Sequence, residues 1–131
     1  MFRPARFPVA ELSHELQGLP QHHLTYMLEG AWLVVGPTGL FVLVDADGDL
    51  AASAVAAVRS AGELRARLCD TLAWVPFVDA VVVTSNPRRC SIPECLVVHI
   101  DMIRDMICNG PTTIDPQTLM QLALLGLPRH L

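Results

Sequence analysis

The chain has 131 residues, which is enough for one domain of ordinary size and too few for two. Apolar residues make up 52% of it, charged residues make up 17%, and the mean hydropathy is +0.42, a balance that excludes a disordered chain. Its 13 acidic residues face 9 arginines and no lysine, which excludes mechanisms that need a lysine and disfavours nucleic acid as a partner. We predict a single domain over residues 1–131, with an N-terminal extension over 1–23 and a core over 24–131.

The N-terminal residues bear on the location of the protein in the cell. They include two arginines but no continuous apolar segment of the kind that a signal peptide needs, because acidic residues follow soon after. The uncharged stretch from Gly30 to Val44 is interrupted by a Gly-Pro turn and is too short to span a bilayer. We therefore expect a cytoplasmic protein without a membrane span, whose four cysteines are thiols.

The first part of the chain predicts a short helix followed by a β-hairpin. The helix is expected over Glu11–Gln17, and a β-type pattern begins at Leu24. Two apolar runs, Ala31–Val35 and Leu40–Val44, flank the sequence Gly36–Gly39, which is typical of a tight turn. The runs are continuous rather than alternating, so both strands are predicted to be largely buried.

A long helix is predicted next. The segment Leu50–Trp74 is rich in alanine and leucine, Asp49 is placed to cap it, and Pro76 ends it. The apolar stripe of this helix is expected to comprise Val55, Val58, Leu64, Leu68 and Leu72. Cys69 is expected on the same side, as a core residue.

Two further strands and two helices complete the predicted order. Ala80–Thr84 and Leu96–Ile100 are short apolar runs typical of buried strands. A short helix is expected over Asp101–Cys108, capped by its first residue, and Asp115 with the proline after it predicts a last helix over Gln117–Leu125. The fold class is therefore α/β (α+β mixed), a small mixed sheet flanked by helices, in the order β-hairpin, α, β, β, α, α.

The strand, Gly-Pro-x-Gly turn and second strand over Ala31–Leu43 resemble the nuclease-related domain (NERD) family, and the element order matches that family over residues 24–125. The resemblance implies a restriction-endonuclease-like fold. In that fold an acid on one strand and a Glu-x-Lys on the next would hold Mg²⁺ and activate water. These positions fall at about Ala31, Val44 and Ala46, which are all apolar. The resemblance thus implies a nuclease fold that has lost its catalytic residues.

The candidate divalent-cation site is the acidic cluster Asp45, Asp47 and Asp49. An EF-hand is excluded because the loop lacks glycine at its sixth position and glutamate at its twelfth. Asp45 and Asp47, with Asp101 and Asp105 as a magnesium pair, also resemble the aspartates of haloacid-dehalogenase phosphatases. The further helix and the lysine or arginine that this family places between its last two motifs are missing. In a third interpretation the carboxylates cap the following helix and favour its dipole.

Cysteines and histidines offer weaker hypotheses. Cys90, Cys95 and His99 could hold zinc with a distant fourth ligand, or the two cysteines could simply end a loop. His99 is otherwise expected as a core or edge histidine with one nitrogen bonded. His22 and His23 are adjacent and would point to opposite faces of a strand, so we expect exposed loop side chains rather than two ligands of one ion.

These observations favour a non-catalytic protein-interaction module with no cofactor, whose partner is another protein or a second copy in a homodimer. The apolar surfaces expected to associate are the strand Leu24–Leu28 and the last helix, through Leu119, Met120, Leu122, Leu124 and Leu125. The alternative from the enzyme class is a metal-dependent phosphodiesterase or phosphatase that uses Asp45 and Asp47.

Overall fold

A computed structural model describes residues 12, 15–20, 23–28, 30–46, 49–72, 74–85 and 94–124. Five strands form one mixed sheet in these residues: β1 (Leu24–Leu28), β2 (Ala31–Gly36), β3 (Gly39–Asp45), β4 (Val78–Thr84) and β5 (Leu96–His99). The helices are α1 (Leu50–Cys69), a 3₁₀ turn (Ile100–Met102), α2 (Ile103–Cys108) and α3 (Pro116–Leu124). The predicted fold class, a mixed α/β sheet flanked by helices, is confirmed.

The strands are arranged in chain order across the sheet, with a change of direction in the middle. β1, β2 and β3 are antiparallel neighbours, whereas β3, β4 and β5 are parallel. Parallel neighbours need a crossover, and α1 supplies it between β3 and β4. The carboxyl ends of the three parallel strands therefore lie at one edge of the sheet, next to the N-terminus of α1.

Helices cover both faces of the sheet. On one face α1 and the buried Leu122 of α3 pack on β2, β3 and β4. On the other face the helical Leu12 and Leu16 pack with Ile103 and Ile107 against the same strands. Because the central strands are covered on both sides, their sequences are continuous apolar runs, as predicted for the hairpin. In the described part of the chain no helix is long and apolar enough to cross a bilayer.

Helix α1 differs from the prediction in its end and in its buried face. It ends at Cys69 rather than Trp74, because the amides of Asp70 and Thr71 bond three residues back and tighten the last turn. The predicted core position of Val55 is wrong, since 57% of it is exposed, and Cys69 is exposed as well. The buried face consists of Ser53, Ala54, Ala57, Ala61, Leu64 and Leu68.

The N-termini of the shorter helices test two predicted caps. The prediction that Asp101 caps the helix before Cys108 is wrong, because the 3₁₀ turn begins at Ile100 and His99 precedes it. The Nδ1 atom of His99 accepts a hydrogen bond from the Asp101 amide at 3.1 Å and so acts as the cap. The cap predicted at Asp115 is confirmed, because its carboxylate accepts from the Thr118 amide at 2.7 Å.

The turn between β2 and β3 is fastened to the segment between α2 and α3. The amides of Thr113 and Ile114 donate to the carbonyl of Pro37 at 2.9 and 3.1 Å. The hydroxyl of Thr113 donates to the Thr38 carbonyl at 3.0 Å, and the hydroxyl of Thr38 donates to the carbonyl of Ile107. These bonds position α3 over β2.

Candidate functional site

The three positions at which the resemblance would require catalytic residues are apolar and packed. Ala31 begins β2 and Val44 lies near the end of β3, and the register places them opposite each other, next to the paired residues Trp32 and Leu43. Both are more than nine-tenths buried in the core beneath α1, and Ala46 packs against the same core. Side chains of this kind provide no oxygen ligand for a hard cation and cannot move a proton.

The structure places two of the three clustered aspartates. Asp45 is the half-buried last residue of β3. Asp49 is the N-cap of α1, where its Oδ1 accepts from the Ala52 amide at 3.1 Å, so the capping interpretation is confirmed for this residue. Asp47 lies outside the described residues. The binding of a divalent cation by Asp45, Asp47 and Asp49 therefore stays a prediction.

The carboxyl edge of the parallel strands is where α/β proteins commonly bind ligands. Here it holds Asp45, Thr84 and His99, but their side chains are divided between two faces of the sheet. Asp45 pairs with Val83, whereas Thr84 pairs with His99 one residue further on. Because successive residues of a strand alternate, Asp45 is on the α2 face and the other two are on the α1 face. Among the residues that the structure describes, no group of three His, Cys, Asp or Glu side chains could hold a metal ion.

Two of the three residues of the zinc hypothesis, Cys95 and His99, lie in the described part of the chain. His99 has Nδ1 engaged by the Asp101 amide, and this nitrogen is 3.5 Å from the Asp101 carboxylate, so the expectation of one bonded nitrogen is confirmed. Cys95 packs against the core beneath α1, and its thiol donates weakly to the Leu96 carbonyl at 3.5 Å. Cys90 lies outside the described residues, so the zinc site stays a prediction.

His23 differs from the exposed loop side chain that we expected. Its Nδ1 is 3.1 Å from the carbonyl of Pro20, to which it donates. Nε2 is buried and accepts no hydrogen bond. The ring lies on Gly36, where a Cβ atom would stand 2.4 Å from it. This contact follows from the register, in which the pair Leu24 and Val35 is next to His23 and Gly36. His22 is outside the described residues.

The two apolar surfaces named from the sequence both lie next to β2, because β1 pairs with it and α3 packs over it. Strand β1 has a single strand neighbour, β2, within the described ranges, and Met27 near its end is 67% exposed. Helix α3 packs over β2 through Leu122 and leaves Met120 and Leu124 65% and 79% exposed. Leu125 lies outside the described residues.

Two exposed aromatic side chains that were not predicted as surface residues lie at the amino end of β4. Trp74 and Phe77 are 58% and 70% exposed just before β4, on either side of the buried Pro76. Asp79 follows on β4, half-buried opposite Phe41, and burial raises the pKa of its carboxyl above the ordinary value. The two aromatic residues around Pro76 are visible in the sequence. They were not identified as a surface feature because the helix predicted over Leu50–Trp74 included Trp74.

Comparisons with protein-family models, with curated proteins and with solved structures find no match to this chain. The resemblance to the nuclease-related domain therefore stays a prediction. The confirmed statement about class is a three-layer α/β domain, with a five-stranded mixed sheet between helices, in the described part of the chain.

Proposed function

We propose that the chain is a non-catalytic protein-interaction module, built on a degenerate restriction-endonuclease-like fold of the nuclease-related kind, which works in the cytoplasm by associating with a second copy of itself. The observation that carries the proposal is the packing of Ala31 and Val44. Each is buried beneath α1, at a position where the resemblance requires a carboxylate. A module that descends from such a nuclease retains the sheet and the helices but lacks the residues that catalyse hydrolysis.

The topology supports the proposed ancestry. The hairpin of β2 and β3, followed by α1 and the strands β4 and β5, is the element order that the resemblance implies. The positions expected for catalysis fall on neighbouring strands, at the edge where β3 ends. In the proposed ancestry this end of the sheet corresponds to the nuclease site, with apolar side chains in place of its carboxylates.

The apolar side chains that are exposed on β1 and α3 support self-association. Met27 on β1 and Met120 and Leu124 on α3 are large apolar side chains at the surface. Monomeric proteins rarely expose extended apolar patches, and symmetric homodimers are the commonest assemblies of soluble chains. A second copy docked against β1 or against α3 would remove the exposed apolar side chains of that surface from water.

Two measurements on the purified protein test this function. Light scattering across micromolar concentrations is expected to give the mass of a dimer, and phosphodiester and phosphomonoester substrates with Mg²⁺ or Mn²⁺ are expected to stay intact. A strict monomer contradicts the association. Turnover that is lost in Asp45→Asn contradicts the non-catalytic assignment and favours the phosphoesterase alternative.

A further inference from the structure

We propose that the two copies associate through strand β1, which pairs with β1 of the partner in antiparallel orientation about a twofold axis at Tyr26. The pairing would join two five-stranded sheets into one continuous sheet. This inference rests on the proposed self-association, and it specifies the surface and the register.

The hydrogen-bonding direction of β1 follows from its hairpin with β2. Leu28 and Ala31 are register partners, and only residues 29–30 connect them. In a two-residue hairpin the closing pair exchanges backbone hydrogen bonds, and every second residue beyond it does the same. The even-numbered residues of β1 therefore bond to β2. Thr25 and Met27 direct their N–H and C=O groups to the other side, where no strand lies in the described residues.

The outward backbone groups of β1 in one copy are complementary to those of β1 in a second copy. With the axis at Tyr26, Thr25 lies opposite the partner's Met27 and Met27 lies opposite the partner's Thr25. Each such pair can exchange one hydrogen bond in each direction, so every outward donor and acceptor of Thr25 and Met27 in both copies has a partner. Leu24 then lies opposite the partner's Leu28 on the other face.

The side chains suit the same register. Leu24, Tyr26 and Leu28 are half-buried on the α1 face, where they pack against the core, and pairing would continue that apolar face into the second copy. Thr25 and Met27 are exposed on the opposite face and would form cross-strand contacts.

Strand β1 also lacks the features that prevent natural edge strands from pairing with another strand. Natural edge strands carry a lysine or other charge, a proline or a bulge, each of which prevents pairing with another strand. The sequence Leu24–Leu28 has no charged residue and no proline, and its register with β2 is continuous without a bulge. An uncharged strand brings no repulsion when it meets its own copy.

A charge exchange across the proposed pairs tests the register. T25K/M27K places like charges opposite each other in both pairs, and we expect the dimer dissociation constant to rise about tenfold or more. T25K/M27E places opposite charges in both pairs and is expected to restore association. Both positions are exposed, so neither variant removes a core contact. V55K/A56K, on the exposed face of α1, is the control for added charge and is expected to leave the mass unchanged.

The outcomes separate this inference from the function on which it rests. Dissociation by T25K/M27K with recovery in T25K/M27E, by sedimentation equilibrium, supports pairing in this register. A wild-type dimer that T25K/M27K leaves intact, or that M120K/L124K alone dissociates, overturns the β1 pairing while self-association stands. Equal dissociation by both charge variants overturns the register. A wild-type monomer overturns the inference and the proposed self-association together.

Discussion

At the scale of single residues, a histidine and a glycine pack against each other across the hairpin of β1 and β2. His23 stands opposite Gly36, and its ring occupies the space that a side chain at position 36 would need. The carbonyl of Pro20 fixes the ring through Nδ1, so the imidazole has little freedom to move aside. The sequence identified both residues but not their pairing, because the register between the two strands depends on the whole hairpin.

The variant Gly36→Ala is expected to lower the free energy of unfolding by about 1–3 kcal/mol, because the new methyl group must displace the His23 ring. In the His23→Ala background the same change should cost less, giving a coupling of about 1 kcal/mol in a double-mutant cycle measured by urea unfolding. Gly62→Ala is the matched control, since that glycine lies within helix α1 and has open space around it. It should stabilise the protein by about 0.4–1 kcal/mol. Additive effects of His23→Ala and Gly36→Ala would contradict the contact.

Asp115 predicts a pH dependence at the start of α3. Hydrogen bonds from the Thr118 amide and then from the Thr118 hydroxyl lower the pKa of its carboxyl. A depressed folded pKa means that the carboxylate contributes stability above its unfolded pKa of about 3.9, and this contribution is lost as the pH falls through the lower folded value. Urea unfolding should therefore show wild type more stable than Asp115→Ala at pH 6, with the difference shrinking below pH 4. A difference that is independent of pH would contradict this role.

At the scale of elements, α1 shows why sequence patterning found the helix but not all of its buried face. The stripe that we expected follows the large apolar residues, whereas the structure buries small ones such as Ala54 and Ala57 against β3 and β4. Small side chains let the helix backbone approach the sheet closely, and Val55 is then left pointing outward. The positions of Leu64 and Leu68 were correct because both stripes share them.

Substitutions along α1 test this orientation. Leu64→Ala should lower the free energy of unfolding by about 2–5 kcal/mol because it leaves a cavity in the core. Val55→Ala should change it by less than about 0.5 kcal/mol because that side chain is exposed. Chemical denaturation of the two variants beside wild type is the measurement. A large loss in Val55→Ala would show that its side chain is buried, as the pattern of large residues had suggested.

At the scale of the whole molecule, the sequence predicted the kinds of elements better than their arrangement. Continuous apolar runs indicated buried strands, and the order of strands and helices indicated a mixed sheet. The position of each strand could not be predicted, because pairing between β4 and β5 depends on contacts distant in sequence. The same limit applies to the candidate site. The sequence shows Asp45, Thr84 and His99 near the ends of their strands, but their division between two faces appears only when the strands are paired.

The absence of cation-dependent chemistry is tested most directly by thermal unfolding of chelator-treated protein with and without millimolar Mg²⁺, Mn²⁺ or Ca²⁺. A site that binds only the folded state, with a dissociation constant a hundredfold below the ion concentration, would add about 2.7 kcal/mol of stability. We expect no change in the melting temperature, because Ala31 and Val44 occupy the positions at which the resemblance requires carboxylates, and no group of three metal-ligating side chains lies in the described residues. A clear rise with Mg²⁺ or Mn²⁺ that disappears in Asp45→Asn would contradict the assignment of a non-catalytic module.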